Sequence, residues 1–118
     1  MDRKQVEKDF KFLKNDEKVL AVLLFGSQVT GNTHERSDTD ICIVAPDTKP
    51  IKIMRKVWRR LKTEKYDIHT FEEFSLKMKN QVMKDHEIIR CEDEQELEEY
   101  FYRHRKIWND QAIARGVT

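Results

Sequence analysis

Five residues carry the chemistry that this chain could perform: Gly26, Ser27, Asp38, Asp40 and Asp67. The first four fall in one run, Gly26-Ser27-Gln28-Val29-Thr30-Gly31-Asn32-Thr33-His34-Glu35-Arg36-Ser37-Asp38-Thr39-Asp40, set between two apolar stretches. Glycine lets a backbone N–H approach a phosphate closely, and the Ser27 hydroxyl can bond the same group. Side chains at i and i+2 of a strand point the same way, so Asp38 and Asp40 present two carboxylates to one face. Clustered carboxylates repel one another unless a cation neutralises them. Hard oxygen ligands select Mg2+ or Mn2+. A phosphate cradle facing such a site suits in-line displacement at phosphorus. Asp67 would join the carboxylates, bind the catalytic cation and help deprotonate an attacking hydroxyl. Taken alone, Ser37-Asp38-Thr39-Asp40 is also ordinary turn chemistry. The Gly-Ser pair upstream and the third acid downstream are what set it apart.

The elements that must position these residues can be read from periodicity. Val6, Phe10 and Leu13 recur at helical spacing and predict a helix over residues 2–14. Val19 to Phe25 is a continuous apolar run of strand length, suited to burial on both faces. Residues 26–37 read as a loop, and Ile41-Cys42-Ile43-Val44 as a second strand ended by Pro46. Pro50 suits a first helical turn, and Ile51, Met54, Val57, Trp58 and Leu61 predict one apolar face of a helix over 51–61. Lys65 to Phe71 reads as a third strand, 72–84 as a helix, Glu87 to Cys91 as a short edge strand and 93–108 as a last helix. The order predicts an α/β (α+β) domain with one small mixed sheet flanked by helices.

Topology then brings the acids together. A loop over 26–37 lets the first two strands run antiparallel, with Gly26 and Ser27 beside the start of the second. A helical crossover makes the second and third strands parallel, so Asp67 starts one strand where Asp40 starts the other.

Composition removes several classes. The 118 residues are the size of a single domain, 1–118, with no room for a second substrate domain. Lys and Arg number 23 against 22 Asp and Glu, a net charge of +1, which argues against a dedicated nucleic-acid binder. No apolar run spans a bilayer and the first residues lack a signal peptide, so the expected location is cytoplasmic, without a membrane partner. Cys42 and Cys91 suggest no disulfide framework. His34, His86 and His104 show no zinc-ligand spacing.

The Gly-Ser pair, the ten residues between Ser27 and Asp38, and the Asp-x-Asp that follows resemble the signature of the polymerase-beta-like nucleotidyltransferase superfamily. Gly31 and Ser37 resemble the narrower minimal nucleotidyltransferase (MNT) form found in MntA-type antitoxins, and Tyr66-Asp67-Ile68-His69-Thr70 looks like that family's third-carboxylate strand. The resemblance covers roughly residues 18–90. It implies a mixed sheet flanked by helices and Mg2+-dependent transfer of a nucleoside monophosphate, with ATP as donor. It implies Gly26, Ser27 and Ser37 as the nucleotide-holding residues, and Asp38, Asp40 and Asp67 as the metal-holding, catalytic carboxylates. It further implies a HEPN-domain partner, a toxic ribonuclease that such proteins neutralise by adenylylating a tyrosine. The chain departs from the pattern at Gln28 and Thr30, where many members carry Arg that could help hold phosphate; Arg36 lies in the same loop. Two alternatives therefore stand beside protein adenylylation: an antitoxin that acts by complex formation with weak catalysis, and transfer to a small molecule.

Other features have plainer readings. His69 shares a strand face with Asp67 and reads as a hydrogen-bonded wall of the site; Cys42 reads as a small core residue. Lys52, Arg55, Lys56, Arg59 and Arg60 read as the solvated back of a helix. Acid at Glu92 to Glu99 followed by Arg103, Arg105 and Lys106 complements a helix dipole. Phe101, Tyr102, Ile107 and Trp108 exceed what one helix face needs, which points to a homo-oligomer or a hetero-complex.

Overall fold

The computed structural model describes residues 3–26, 39–61 and 64–114. A four-stranded sheet forms its centre, in the order β3-β2-β1-β4. The strands are β1 (Ala21–Phe25), β2 (Thr39–Val44), β3 (Tyr66–Thr70) and β4 (His86–Cys91), and the helices α1 (Arg3–Asp9), α2 (Pro50–Arg60), α3 (Leu76–Lys84) and α4 (Glu94–Ala114). β1 runs antiparallel to β2 and β4, and β2 runs parallel to β3 across the α2 crossover. Both strand directions follow the sequence-based expectation.

β1 is buried at every position because both of its faces are covered. On one face Val22, Leu24, Ile41 and Ile43 pack with Val6, Phe10 and Leu13 and with Ile53 and Val57 of α2. On the other, Ala21, Leu23, Phe25, Cys42 and Val44 pack with Phe71, with Val82 and Met83 of α3 and with Leu97 and Phe101 of α4. Strand parity sorts the side chains: Asp40 shares the second face with Cys42 and Val44, while Thr39, Ile41 and Ile43 take the first.

Several boundaries move, each for a local reason. α1 stops at Asp9 and a 3-10 turn, Lys11–Leu13, carries Leu13 into the core. α3 starts at Leu76 rather than 72, because the Ser75 hydroxyl accepts a hydrogen bond from the Met78 N–H (3.2 Å) and caps the helix. The preceding residues, Phe71–Glu73, form a separate 3-10 turn. α4 is capped by Asp93, whose Oδ1 accepts from the N–H groups of Gln95 and Glu96, and it continues six residues beyond 108.

The apolar face of α2 differs from the one predicted. Ile53 and Val57 are fully buried, whereas Ile51 and Trp58 are 46% and 58% exposed. At about 100° per residue, Ile53, Val57, Leu61 and Met54 fill one arc of about 100°, and Trp58 and Ile51 lie past its edge.

Candidate functional site

The site lies at the sheet end where β1 finishes and where β2 and β3 begin. Asp40 is the register partner of Phe25 across the antiparallel ladder and of Asp67 across the parallel one. Two carboxylates therefore start adjacent strands side by side. Parity places both on the sheet face shared by Phe25 and Cys42, as expected from sequence.

Gly26 follows Phe25 with φ +77°, a left-handed backbone that L side chains rarely adopt. A Cβ built on it would fall 2.4 Å from the Asp40 Oδ2. The glycine is thus required twice: for the turn that ends β1, and for the space that the Asp40 carboxylate fills.

Asp67 lies on an edge strand with its side chain 52% exposed. Its Oδ1 is 3.1 Å from the His69 Nε2. The two groups are within ion-pair distance. The His69 ring rests edge-on to Phe25 (centroids 6.1 Å apart) and tilted against Phe74 (5.3 Å), and Phe25 and Phe74 also meet each other edge-on (5.6 Å). Cys42, beside His69 in the register, is fully buried. Burial, then the Glu72 carboxylate, pushes its thiol well above the ordinary range, so it serves as an inert floor. Sequence reasoning found His69 as a wall of the site but did not connect it to Phe25 and Phe74. Their spacing along the chain carries no signal; only the folding of the turn at Phe71–Glu73 returns Phe74 to the sheet.

Ser27, Ser37 and Asp38, together with Gln28, Thr30 and Arg36, lie outside the described residues. Of the six expected site residues, Gly26, Asp40 and Asp67 are described, and all three meet at this sheet end. Among the described residues no three His, Cys, Asp or Glu side chains form a metal-holding group. Nevertheless the donor set fits a divalent cation. It offers the hard carboxylate oxygens of Asp40 and Asp67 on one face of the sheet.

A second polar group behind the site is structural. Glu72 accepts from the Ala45 N–H (3.1 Å) and from the Tyr100 hydroxyl (2.9 Å), tying the end of β2 to α4. Burial raises the Glu72 carboxyl above its ordinary value, although those hydrogen bonds oppose the shift. Among the described residues no helix is long and apolar enough to cross a membrane.

A family model described as "Polymerase beta, Nucleotidyltransferase" matches residues 7–95. The chain is 43% identical over 94 residues to the "Putative protein adenylyltransferase" of Methanocaldococcus jannaschii, covering 79% of this chain and 72% of that one. Its fold is similar to a chain of a toxin–antitoxin crystal structure solved with AMP-PNP (TM-score 0.72, 21% identity, 98% of this chain and 94% of that one). It is also similar to a chain from the complex of the tri-AMPylated Shewanella oneidensis HEPN toxin with its MNT antitoxin (TM-score 0.63, 19% identity, 97% and 89%). At these identities the structural likeness is one of fold.

Proposed function

This chain belongs to the polymerase beta nucleotidyltransferase family and is a nucleotidyltransferase, and from that premise we propose that it transfers AMP from ATP to a hydroxyl of a HEPN-type partner protein. The observation that carries the reading is the Asp40–Asp67 register beside Gly26. The relative named a protein adenylyltransferase supports a protein acceptor. The complex holding an AMPylated HEPN toxin supports the class of partner.

Each residue has a part. Gly26, with Ser27 and Ser37, binds the triphosphate through groups that approach it closely. Asp40 and Asp67, with Asp38, would hold Mg2+ or Mn2+. Held there, such a cation would supply charge stabilisation at the phosphoryl oxygens. Asp67 receives the proton of the acceptor hydroxyl. A bond forms between that oxygen and the α-phosphorus, the bond to the β-phosphate oxygen breaks, and pyrophosphate leaves. Phe25, Phe74 and His69 form an aromatic wall beside Asp67.

Incubation with α-labelled ATP, Mg2+ and the HEPN-type product of an adjacent gene tests this. Label enters the partner with wild-type protein and fails to enter with Asp40→Ala. Absence of label with wild type, or equal label with Asp40→Ala, defeats the proposal. Gln28 and Thr30, at positions where the family resemblance implies Arg in many members, favour a second reading: neutralisation by complex formation. In that case Asp40→Ala and Asp67→Ala neutralise the partner as well as wild type does.

A further inference from the structure

We infer that His69 is a positioning residue: it holds one oxygen of Asp67 and so leaves the other set for the divalent cation. This rests on the nucleotidyltransferase site proposed above. Asp67 sits on edge strand β3 with its side chain about half exposed, flanked by one neighbouring strand only. A carboxylate so placed has several rotamers open to it, and choosing one costs entropy when the cation binds. The His69 Nε2 stands 3.1 Å from Oδ1, a polar contact that favours one of them. Such a contact fixes a ligand only if its partner is itself fixed, and the imidazole is. Phe25, buried in the core, meets the ring from one element, and Phe74 meets it from another. Phe74 is in turn held by its N–H bond to the Phe71 carbonyl (3.1 Å) that closes the 3-10 turn. The order of support runs from core to Phe25 and Phe74, to imidazole, to Asp67. Partners of this kind behind a metal-holding carboxylate contribute about 10- to 100-fold in metal affinity.

Mn2+ binding in the presence of AMP-PNP, measured by titration calorimetry, reads this without turnover. His69→Phe keeps a ring against Phe25 and Phe74 but removes the polar contact; it is expected to weaken Mn2+ about tenfold or more. His69→Gln restores a polar group at similar reach and is expected to stay within about threefold of wild type. Thermal melting without Mn2+ confirms that both variants fold. If His69→Phe binds Mn2+ as wild type does while Asp67→Asn is weakened, the positioning role is overturned and the site stands. If Asp67→Asn also binds as wild type does, Asp67 holds no cation, and both the role and the site assignment fall.

Discussion

Asp40 and Asp67 occupy the same register position on adjacent parallel strands, each at the start of its strand. Neighbouring strands lie about 4.8 Å apart, so two like charges here share one environment. Without a cation two like charges so placed repel; a bound cation offsets that repulsion. Asp40→Asn and Asp67→Asn should therefore leave the metal-free protein as stable as wild type or slightly more so. Each should lower transfer from ATP by about a hundredfold or more, equivalent to about 2.7 kcal/mol of transition-state stabilisation. Melting curves without Mg2+, set beside label-transfer rates with it, separate the two effects.

Gly26→Ala meets two penalties at once. The backbone stands at φ +77° and the new methyl would sit 2.4 Å from the Asp40 Oδ2. The left-handed conformation alone costs about 1–2 kcal/mol for an L residue. The clash moves the carboxylate that the substrate needs, so activity should fall further than stability does. A reduced urea midpoint with an unchanged transfer rate would contradict this account.

Glu72 predicts a pH dependence of the opposite kind to most acids. Burial raises its carboxyl in the folded state, so between its unfolded and folded values the native chain binds the extra proton. Stability contributed by Glu72 is thus fully present below its unfolded value and is lost as pH rises through the folded one. Glu72→Gln keeps an oxygen to accept the Ala45 N–H and carries no charge to bury. The variant should show a flatter stability profile than wild type as pH rises above the ordinary carboxylate range. Urea denaturation across that range measures it; parallel profiles would remove Glu72 as the source.

The Asp40–Asp67 juxtaposition at the candidate site was legible in the sequence because it depends on parity and strand direction. Both were already implied by the apolar runs around residues 19–25 and 41–44 and by the helical crossover between them. That logic placed Asp40 beside Asp67. It could not place Phe74 against His69, because that contact arises from an irregular turn without a period. Nor could it find the Ser75 cap that divides the predicted helix over 72–84. Phe71, Phe74 and Met78 keep helical spacing across the division, and periodicity is blind to a side-chain oxygen that competes for the backbone. Ser75→Ala should cost about 1 kcal/mol and fray α3 from its first turn. Hydrogen exchange at the Met78 amide, which bonds to that oxygen, reports it directly.

Helix α2 offers a test of how an apolar arc is chosen when the sequence supplies more apolar residues than the arc can hold. Six of them, Ile51, Ile53, Met54, Val57, Trp58 and Leu61, compete for one face. The structure buries Ile53 and Val57 against β2 neighbours such as Ile41 and Ile43, and leaves the larger Trp58 outside. Indole would bring more apolar area, but at the edge of the arc it can cover the sheet only by rotating α2 and lifting Ile53 out. Close packing of two medium side chains over flat strands wins over partial burial of one large ring. Ile53→Ala should then cost about 3 kcal/mol, within the range for a buried Ile truncated to Ala. Trp58→Ala should change stability by no more than about 0.5 kcal/mol, as for other exposed positions. Urea unfolding followed by circular dichroism compares the two, and a Trp58→Ala loss as large as that of Ile53→Ala would place the indole in the core.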